Sequence, residues 1–297
     1  MELKKKVINS IARIPVLKDT YHEYSYIKKH YREISLIDFN LKKKNSEVQS
    51  TLLFTSPKCA SVYLGEVMKR ITANTQVTTI DLETHLNKLN ISIWDAKEHE
   101  RAKISNAFVP HGYFYCPLRY GKFLDFIPNL ENYKILLVLR DPRDVLTSQY
   151  FSFGFSHSMP VNEKLKENFL KKRQMIKTNN IDDYVLQKAG ELSKKYRAYI
   201  ETLVGRSNVK FLTYESMVCD FHNWMDAVVE FLPFKADPET ISNLIQEANF
   251  DVSQENIYSH KRQVLPGDHR RKLKSETIEI LNKEFHDVLV TLNYDIN

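Results

Sequence analysis

Five short apolar runs, rich in β-branched and aromatic residues, punctuate the chain at Ser50 to Thr55, Gln76 to Asp81, Ile104 to Val109, Lys134 to Arg140 and Asn208 to Tyr214. Each has the length of a buried strand, and between them lie patterns with the three- to four-residue step of a helix. One such pattern starts near Asp182 and brings Tyr184, Leu192, Tyr196, Tyr199 and Leu203 close to one stripe. Another starts at Ser275, a good N-cap, and carries Ile278, Leu281, Phe285, Val288 and Leu292. Strands that alternate with helices predict an α/β fold in which a central parallel sheet is flanked by helices, with ligands at the C-terminal ends of the strands. Residues from about Phe155 to Asn180 are polar, Lys-rich and weakly patterned, and read as a surface loop or lid.

Composition narrows the picture modestly. At 297 residues the chain is long enough for one large or two ordinary domains. It has no Gly-, Ser- or Pro-rich linker and no repeat, so a single domain over 1–297 is expected, with 1–49 an N-terminal segment and 50–297 the ligand-binding core. The charge balance, 43 − 37 = +6, suits an anionic ligand. The basic clusters at Lys4 to Lys6, Lys42 to Lys44 and Lys171 to Arg173 are scattered and do not imply nucleic acid. Cys59, Cys116 and Cys219 are far apart and odd in number, which fits a reducing compartment, and no metal-ligand spacing is present. The N-terminus, MELKKK and onward, reaches neither signal-peptide nor membrane-span quality, so the expectation is a soluble cytoplasmic protein without an integral membrane segment.

The most informative stretch is KILLVLRDPRDVLTSQYFS, Lys134 to Ser152. An apolar strand ends in Arg140; Asp141 then suits an N-cap and Pro142 the first helical position. A helix start presents unpaired N–H groups and the positive end of the helix dipole, so an arginine at the strand's tip makes an anion site. Ser148 lies seven residues on, roughly 700° of rotation at about 100° per residue, and returns to the face of Asp141. The same run would also serve as a plain strand-to-helix connection whose arginine pairs with a carboxylate, and a second site is needed to decide.

That second site follows the strand STLLFT. In SPKCASVYLGEVMKR, Ser56 to Ser61 turn the chain into a helix carrying Val62, Val67 and Met68, the strand, loop and helix order of a P-loop. GxxxxGK[ST] is absent, and Val62 stands where a Mg²⁺-binding hydroxyl would be. A cysteine phosphatase is also disfavoured: Cys59 sits at a helix start, but Cys-x5-Arg would require Arg where Gly65 stands.

TSPKCASVYL resembles the 5′-phosphosulfate loop of sulfotransferases that use 3′-phosphoadenosine 5′-phosphosulfate (PAPS), usually written PKSGTTWL. VLRDPRDVLTS resembles their 3′-phosphate segment, RNPKDVxxS, with the same interval from Arg to Ser. FLTYESM, Phe211 to Met217, is similar to the family's Tyr-Glu strand, and FDVSQENIYSHKRQVLPGDHRR to its late nucleotide loop, RKGxxGDW. The resemblance implies a three-layer P-loop-type fold, PAPS as sulfuryl donor with PAP as product, and no metal. It implies that Lys58 stabilises the leaving phosphate and that the loop Lys58, Cys59, Ala60, Ser61, Val62 and Tyr63 holds the 5′ end, with Ser61 on the phosphate and Tyr63 at the adenine or in the core. Arg140, Ser148 and Arg262 would hold the 3′-phosphate, and Tyr214, Gln263 and Val264 complete the nucleotide site.

Departures from the family pattern are Ala60 for Gly, Val62 for Thr, Gln263 and Val264 for Lys-Gly, and His269 for Trp; Pro266 and Gly267 keep the turn chemistry. The general base is expected at His111, after the run NAFVP, with His157 as a weaker candidate and Arg119 available to an acidic acceptor or to a salt bridge. The leading expectation is transfer to a hydroxyl or amine of a small-molecule or glycan acceptor. A P-loop nucleotide or small-molecule kinase and a noncatalytic nucleotide-binding protein are the alternatives. The sequence names neither the acceptor nor an oligomeric state.

Overall fold

The computed structural model describes residues 15–42, 46–159, 163–248, 250, 255, 257 and 263–296. After helix α1 (Pro15–Ile37) the chain alternates β1 (Thr51–Thr55), α2 (Ser61–Ile71), β2 (Thr78–Ile80), α3 (Leu82–Lys88), α4 (Glu98–Ala107), β3 (Tyr113–Leu118), β4 (Lys134–Leu139) and α5 (Pro142–Phe151). It continues through α6 (Glu163–Thr178), α7 (Ile181–Leu203), β5 (Val209–Thr213), α8 (Tyr214–Cys219), α9 (Phe221–Phe231), α10 (Pro238–Glu247), α11 (Asp268–Lys272), α12 (Ser275–Glu284) and α13 (His286–Thr291). The five strands form one parallel sheet in the order β2-β3-β1-β4-β5.

Alternation along the strands splits the apolar residues between two faces. Leu52, Phe54, Tyr115, Ile135 and Leu137 face a core closed by α1, α3 to α5, α7, α12 and α13. Leu53, Phe114, Cys116, Leu136 and Val138 face a second core closed by α2 and α8 to α10. The helix after β1 therefore packs on one face and the helix after β4 on the other, although the two strands are neighbours with Thr55 paired to Val138. A crevice opens between their C-terminal ends, the switch point at which open α/β sheets bind ligands.

Four strands lie where the sequence pattern puts them; the third does not. Ile104 to Val109 belongs to the end of α4 and the turn after it, and β3 is Tyr113–Leu118. Ile104, Ala107 and Phe108 are buried at a helical step, so the run is the inner edge of a helix. Pro117, joined to Cys116 by a cis peptide bond, hides the true strand from a reading that treats proline as a strand breaker. Tyr115 binds the two segments together: its hydroxyl donates to the Ala107 carbonyl at 2.6 Å and accepts from the Val109 N–H at 2.8 Å.

The Lys-rich stretch expected as a loop is largely α6, with Phe169, Arg173 and Ile176 turned inward at helical spacing. Ser275 is the first residue of α12, with Lys274 at the cap, and the last helical stripe breaks at Phe285. Among the described residues no helix is long and apolar enough to cross a membrane.

Tyr115→Phe leaves a buried carbonyl and a buried N–H unpaired and is expected to cost about 1–3 kcal/mol in urea unfolding. An unchanged midpoint would show that the turn after α4 does not depend on this hydroxyl.

Candidate active site

The loops after β1 and β4 meet at the crevice. α2 starts from a tight turn in which the Cys59 N–H donates to the Ser56 carbonyl at 3.1 Å. Lys58 and Ala60 have positive φ, 76° and 57°. Ala60 caps α2 from this left-handed conformation and supplies no side-chain acceptor, so the first N–H groups of the helix remain available to a ligand. Ser61 is buried in the first turn, and Val62 points outward, 61% exposed. The loop thus keeps the P-loop course although Ala stands at a position whose φ favours glycine.

Cys59 is fully buried, and burial pushes its thiol up to about 11, against the pull of Arg140. A protonated, inaccessible thiol is no nucleophile at neutral pH. Tyr63 is edge-on to Phe250 with ring centroids 5.4 Å apart and tilted against Phe221 at 6.1 Å, within an aromatic group that Trp224 extends. Its side chain is part of the second core's margin.

Across the crevice, Asp141 caps α5 by accepting from the Arg143 N–H at 2.9 Å, and Pro142 opens the helix. Arg140 is 3% exposed. Its Nη1 donates to the Lys58 carbonyl at 3.3 Å, tying the two loops, and its guanidinium lies 4.4 Å above the Tyr214 ring. Nη2 is 3.5 Å from the Asp144 carboxylate. Burial opposes the charge, but Tyr214, Asp144 and Glu215 hold the guanidinium protonated. Ser148 is half-buried two turns along α5.

Asp144 anchors the late segment to this helix. One carboxylate oxygen accepts from the His269 N–H at 2.9 Å and from His269 Nδ1 at 2.6 Å; the other accepts from the Gly267 N–H at 2.8 Å. Burial opposes its ionisation, and the His269 hydrogen bonds with the Arg140 charge outweigh it, holding the carboxyl well below the usual range. The Tyr214 hydroxyl donates to the Val264 carbonyl at 2.7 Å, and Gln263 Oε1 accepts from the Val264 and Leu265 N–H groups at 2.9 Å. Lys58, Arg140, Tyr214 and Val264 are therefore brought to one edge of the sheet; Arg262 lies outside the described residues.

Several polar atoms here have no hydrogen-bond partner among the described residues despite burial: Arg140 Nε and Nη2, Glu215 Oε2, His269 Nε2 and Thr55 Oγ1. Buried polar atoms are normally paired, and their concentration beside an arginine marks a place where a polar ligand would complete the structure. Burial pushes the Glu215 carboxyl up to about 7, while its Oε1 accepts from the Asp141 N–H at 2.9 Å.

His111 does not belong to this edge. It lies before β3, bridged to Gln49 ahead of β1, and is exposed. A strand length, roughly 15 Å, separates it from the end that carries Lys58. Its expected role followed from placing β3 nine residues too early. With β3 at Tyr113–Leu118, the residues that reach the ligand edge are Arg119 and Tyr120. His157 follows the π-helical turn after α5, at its C-terminal cap, with its ring against Phe153 and Phe169.

Arg119 instead pairs with Glu83, in the first turn of α3 after β2: its Nε lies 3.2 Å from Glu83 Oε2 and its N–H 3.4 Å. Burial raises the Glu83 carboxyl, with Arg119 opposing the rise. Tyr199 ties α7 to the P-loop side. Its hydroxyl donates to the Thr55 carbonyl at 2.9 Å, its ring lies against Gly121, and the charge of Glu83 reaches it. Glu83 and Asp144 escaped the sequence reading because a carboxylate in a helix's first turn also answers the helix dipole. The Tyr-Glu pair at Tyr214 was the one signal for Glu215.

The family model for the sulfotransferase domain matches residues 48–288. The chain belongs to this family. Among solved structures, a mouse sulfotransferase, SULT7A1, complexed with PAP, is similar over 86% of this chain and 88% of its own, at 15% identity and a TM-score of 0.55. A retinol dehydratase in complex with retinol and PAP matches 88% of this chain and 86% of its own at 16% identity and a TM-score of 0.45. Sulfotransferase STF9 from Mycobacterium avium matches 92% of this chain and 81% of its own at 10% identity and a TM-score of 0.47. No curated protein matches the chain by sequence. At these identities the sulfotransferase likeness is one of fold, and the parallel sheet with its P-loop-like turn agrees with it.

The folded protein holds the Glu215 proton up to about pH 7, whereas the unfolded chain releases it near 4.5. Stability should therefore fall as pH rises through this window. Glu215→Gln retains the acceptor for Asp141 and cannot ionise. Its melting temperature is expected to overtake that of the wild type between about pH 5 and pH 8, by an amount equivalent to roughly 1–3 kcal/mol. Parallel curves would show that Glu215 titrates normally.

Proposed function

We propose that this sulfotransferase-family chain transfers a sulfuryl group from PAPS to an acceptor hydroxyl. The observation that carries the reading is the buried Arg140, with Nε and Nη2 lacking hydrogen-bond partners among the described residues, beside a P-loop-like turn that offers N–H groups and Lys58. These groups fit the donor's two anionic ends: a forked guanidinium with Ser148 for the 3′-phosphate, and the start of α2 with Ser61 for the 5′ end. The PAP bound by the mouse sulfotransferase of similar fold supports this assignment. When bound, the donor supplies a sulfuryl group already joined to a phosphate leaving group.

The chain's part is electrostatic and positional. Lys58 and the N–H groups of Ser61 and Val62 meet the negative charge that grows on the leaving side. Arg140 holds the carbonyl of Lys58 and so fixes that loop relative to β4. Glu83 replaces His111 as the proposed base. It stands at the ligand edge, and its Oε2 is held by Arg119. Burial raises its proton affinity toward that needed to take a hydroxyl proton.

Arg140→Lys keeps a charge beside Asp144 and removes the fork. Adenosine 3′,5′-bisphosphate is expected to raise the melting temperature of the wild type at millimolar concentration, and the variant should bind it at least about tenfold more weakly. Better protection by ATP with Mg²⁺ would favour a kinase.

With labelled PAPS, Lys58→Ala should lower kcat by about 10² or more. Glu83→Gln should lower kcat by a similar factor while leaving bisphosphate affinity unchanged, and should abolish the acidic limb of the pH profile. Turnover indifferent to both changes would remove these residues from the mechanism.

A further inference from the structure

A cavity of about 170 Å³ opens beside the proposed base, lined by Glu83, Asn87, Ser92, Trp94, Tyr120 and Phe123, with aliphatic side chains from α3 and the loop after it. Its charged floor is neutral as a unit, because Glu83 Oε2 is occupied by Arg119. A cationic amine would find a carboxylate already paired, and an acidic ligand would meet that carboxylate with no cation in the lining. Trp94, at the mouth, is 55% exposed, and Tyr120 supports it edge-on, with ring centroids 5.9 Å apart and planes at 71°. A large aromatic surface left open beside a cavity is a contact surface for a ligand. Around it stand groups that both give and accept hydrogen bonds. Asn87 has a side-chain amide; Ser92 Oγ accepts from the Trp94 N–H at 3.3 Å and keeps its own proton to donate.

We propose that this cavity binds a neutral pyranose-type sugar, its C–H face on Trp94 and its hydroxyls on Asn87, Ser92 and Glu83, and that this sugar is the acceptor. The identity as acceptor rests on the sulfotransferase reading; the binding itself does not. A pyranose ring has the combination that the cavity presents: one apolar face, a rim of donors and acceptors, and no net charge. A phenol would use neither the amide nor the Ser92 hydroxyl. One ring hydroxyl near Glu83 Oε1 would give up its proton there as the new O–S bond forms and the O–S bond to the leaving phosphate breaks.

The chain has two tryptophans, and the other, Trp224, is 2% exposed, so ligand-dependent emission reports on Trp94. The full chain, without nucleotide, is titrated with neutral disaccharides (lactose, maltose, cellobiose, N,N′-diacetylchitobiose) and with p-cresol, butylamine and glucuronate. At least one neutral disaccharide is expected to give a saturable blue shift that is absent in Trp94→Phe and requires at least tenfold more sugar in Asn87→Ala. Saturation by p-cresol, butylamine or glucuronate below every neutral sugar would overturn the proposal, as would silence from all the sugars. Bisphosphate-induced thermal stabilisation, followed on the same sample, separates the two claims. Stabilisation without a sugar response removes the acceptor class and leaves the donor site standing; a sugar response without stabilisation does the reverse.

Discussion

The Asp144 carboxylate is the interaction on which the ligand edge depends. Completely buried, it holds the backbone N–H groups of Gly267 and His269, the His269 ring and the charge of Arg140. An isolated charge in this position would be strongly unfavourable, and it is tolerated because both of its oxygens meet N–H donors and Arg140 lies beside it. The consequence is architectural. The helix after β4, the late segment and the arginine at the strand's tip are fixed to one atom group, and Tyr214, reaching Val264, closes the arrangement from β5.

Arg140 carries this constraint to the other loop. Its bond to the Lys58 carbonyl joins the turn after β1 to the turn after β4, while Tyr196 fixes its own carbonyl at 2.6 Å. The same residue is therefore a structural strut and, in the proposed donor site, the cation that would meet the 3′-phosphate. Of the two readings left open by the sequence, the pairing with a carboxylate is present, and the arginine also retains N–H groups that the described residues do not satisfy.

Much of this frame is legible along the chain. The Asp141-Pro142 helix start, four of five strands and the turn through Ser56 to Ser61 follow from capping preferences and periodicity. What was hidden has identifiable causes. Pro117 disguised β3, and that displaced His111 into a role that the sheet denies it. The lysines of α6 masked a helix whose inward positions are few. Glu83, Asp144 and Glu215 acquire their importance from burial and from partners 36, 125 and 74 residues away, separations that no local pattern encodes.

The adjacency of β1 and β4 has a further meaning. Neighbouring strands lie about 4.8 Å apart and cannot stretch without breaking their ladder. In the proposed donor site, two loops mounted on such a pair would form a ruler, graduated by the hydrogen-bond spacing of the sheet. In the proposed donor site, selectivity would then come from the distance between two charges as much as from recognition of a base. A nucleotide with one phosphate group could satisfy either end of the ruler, and only a molecule of the right span could engage both.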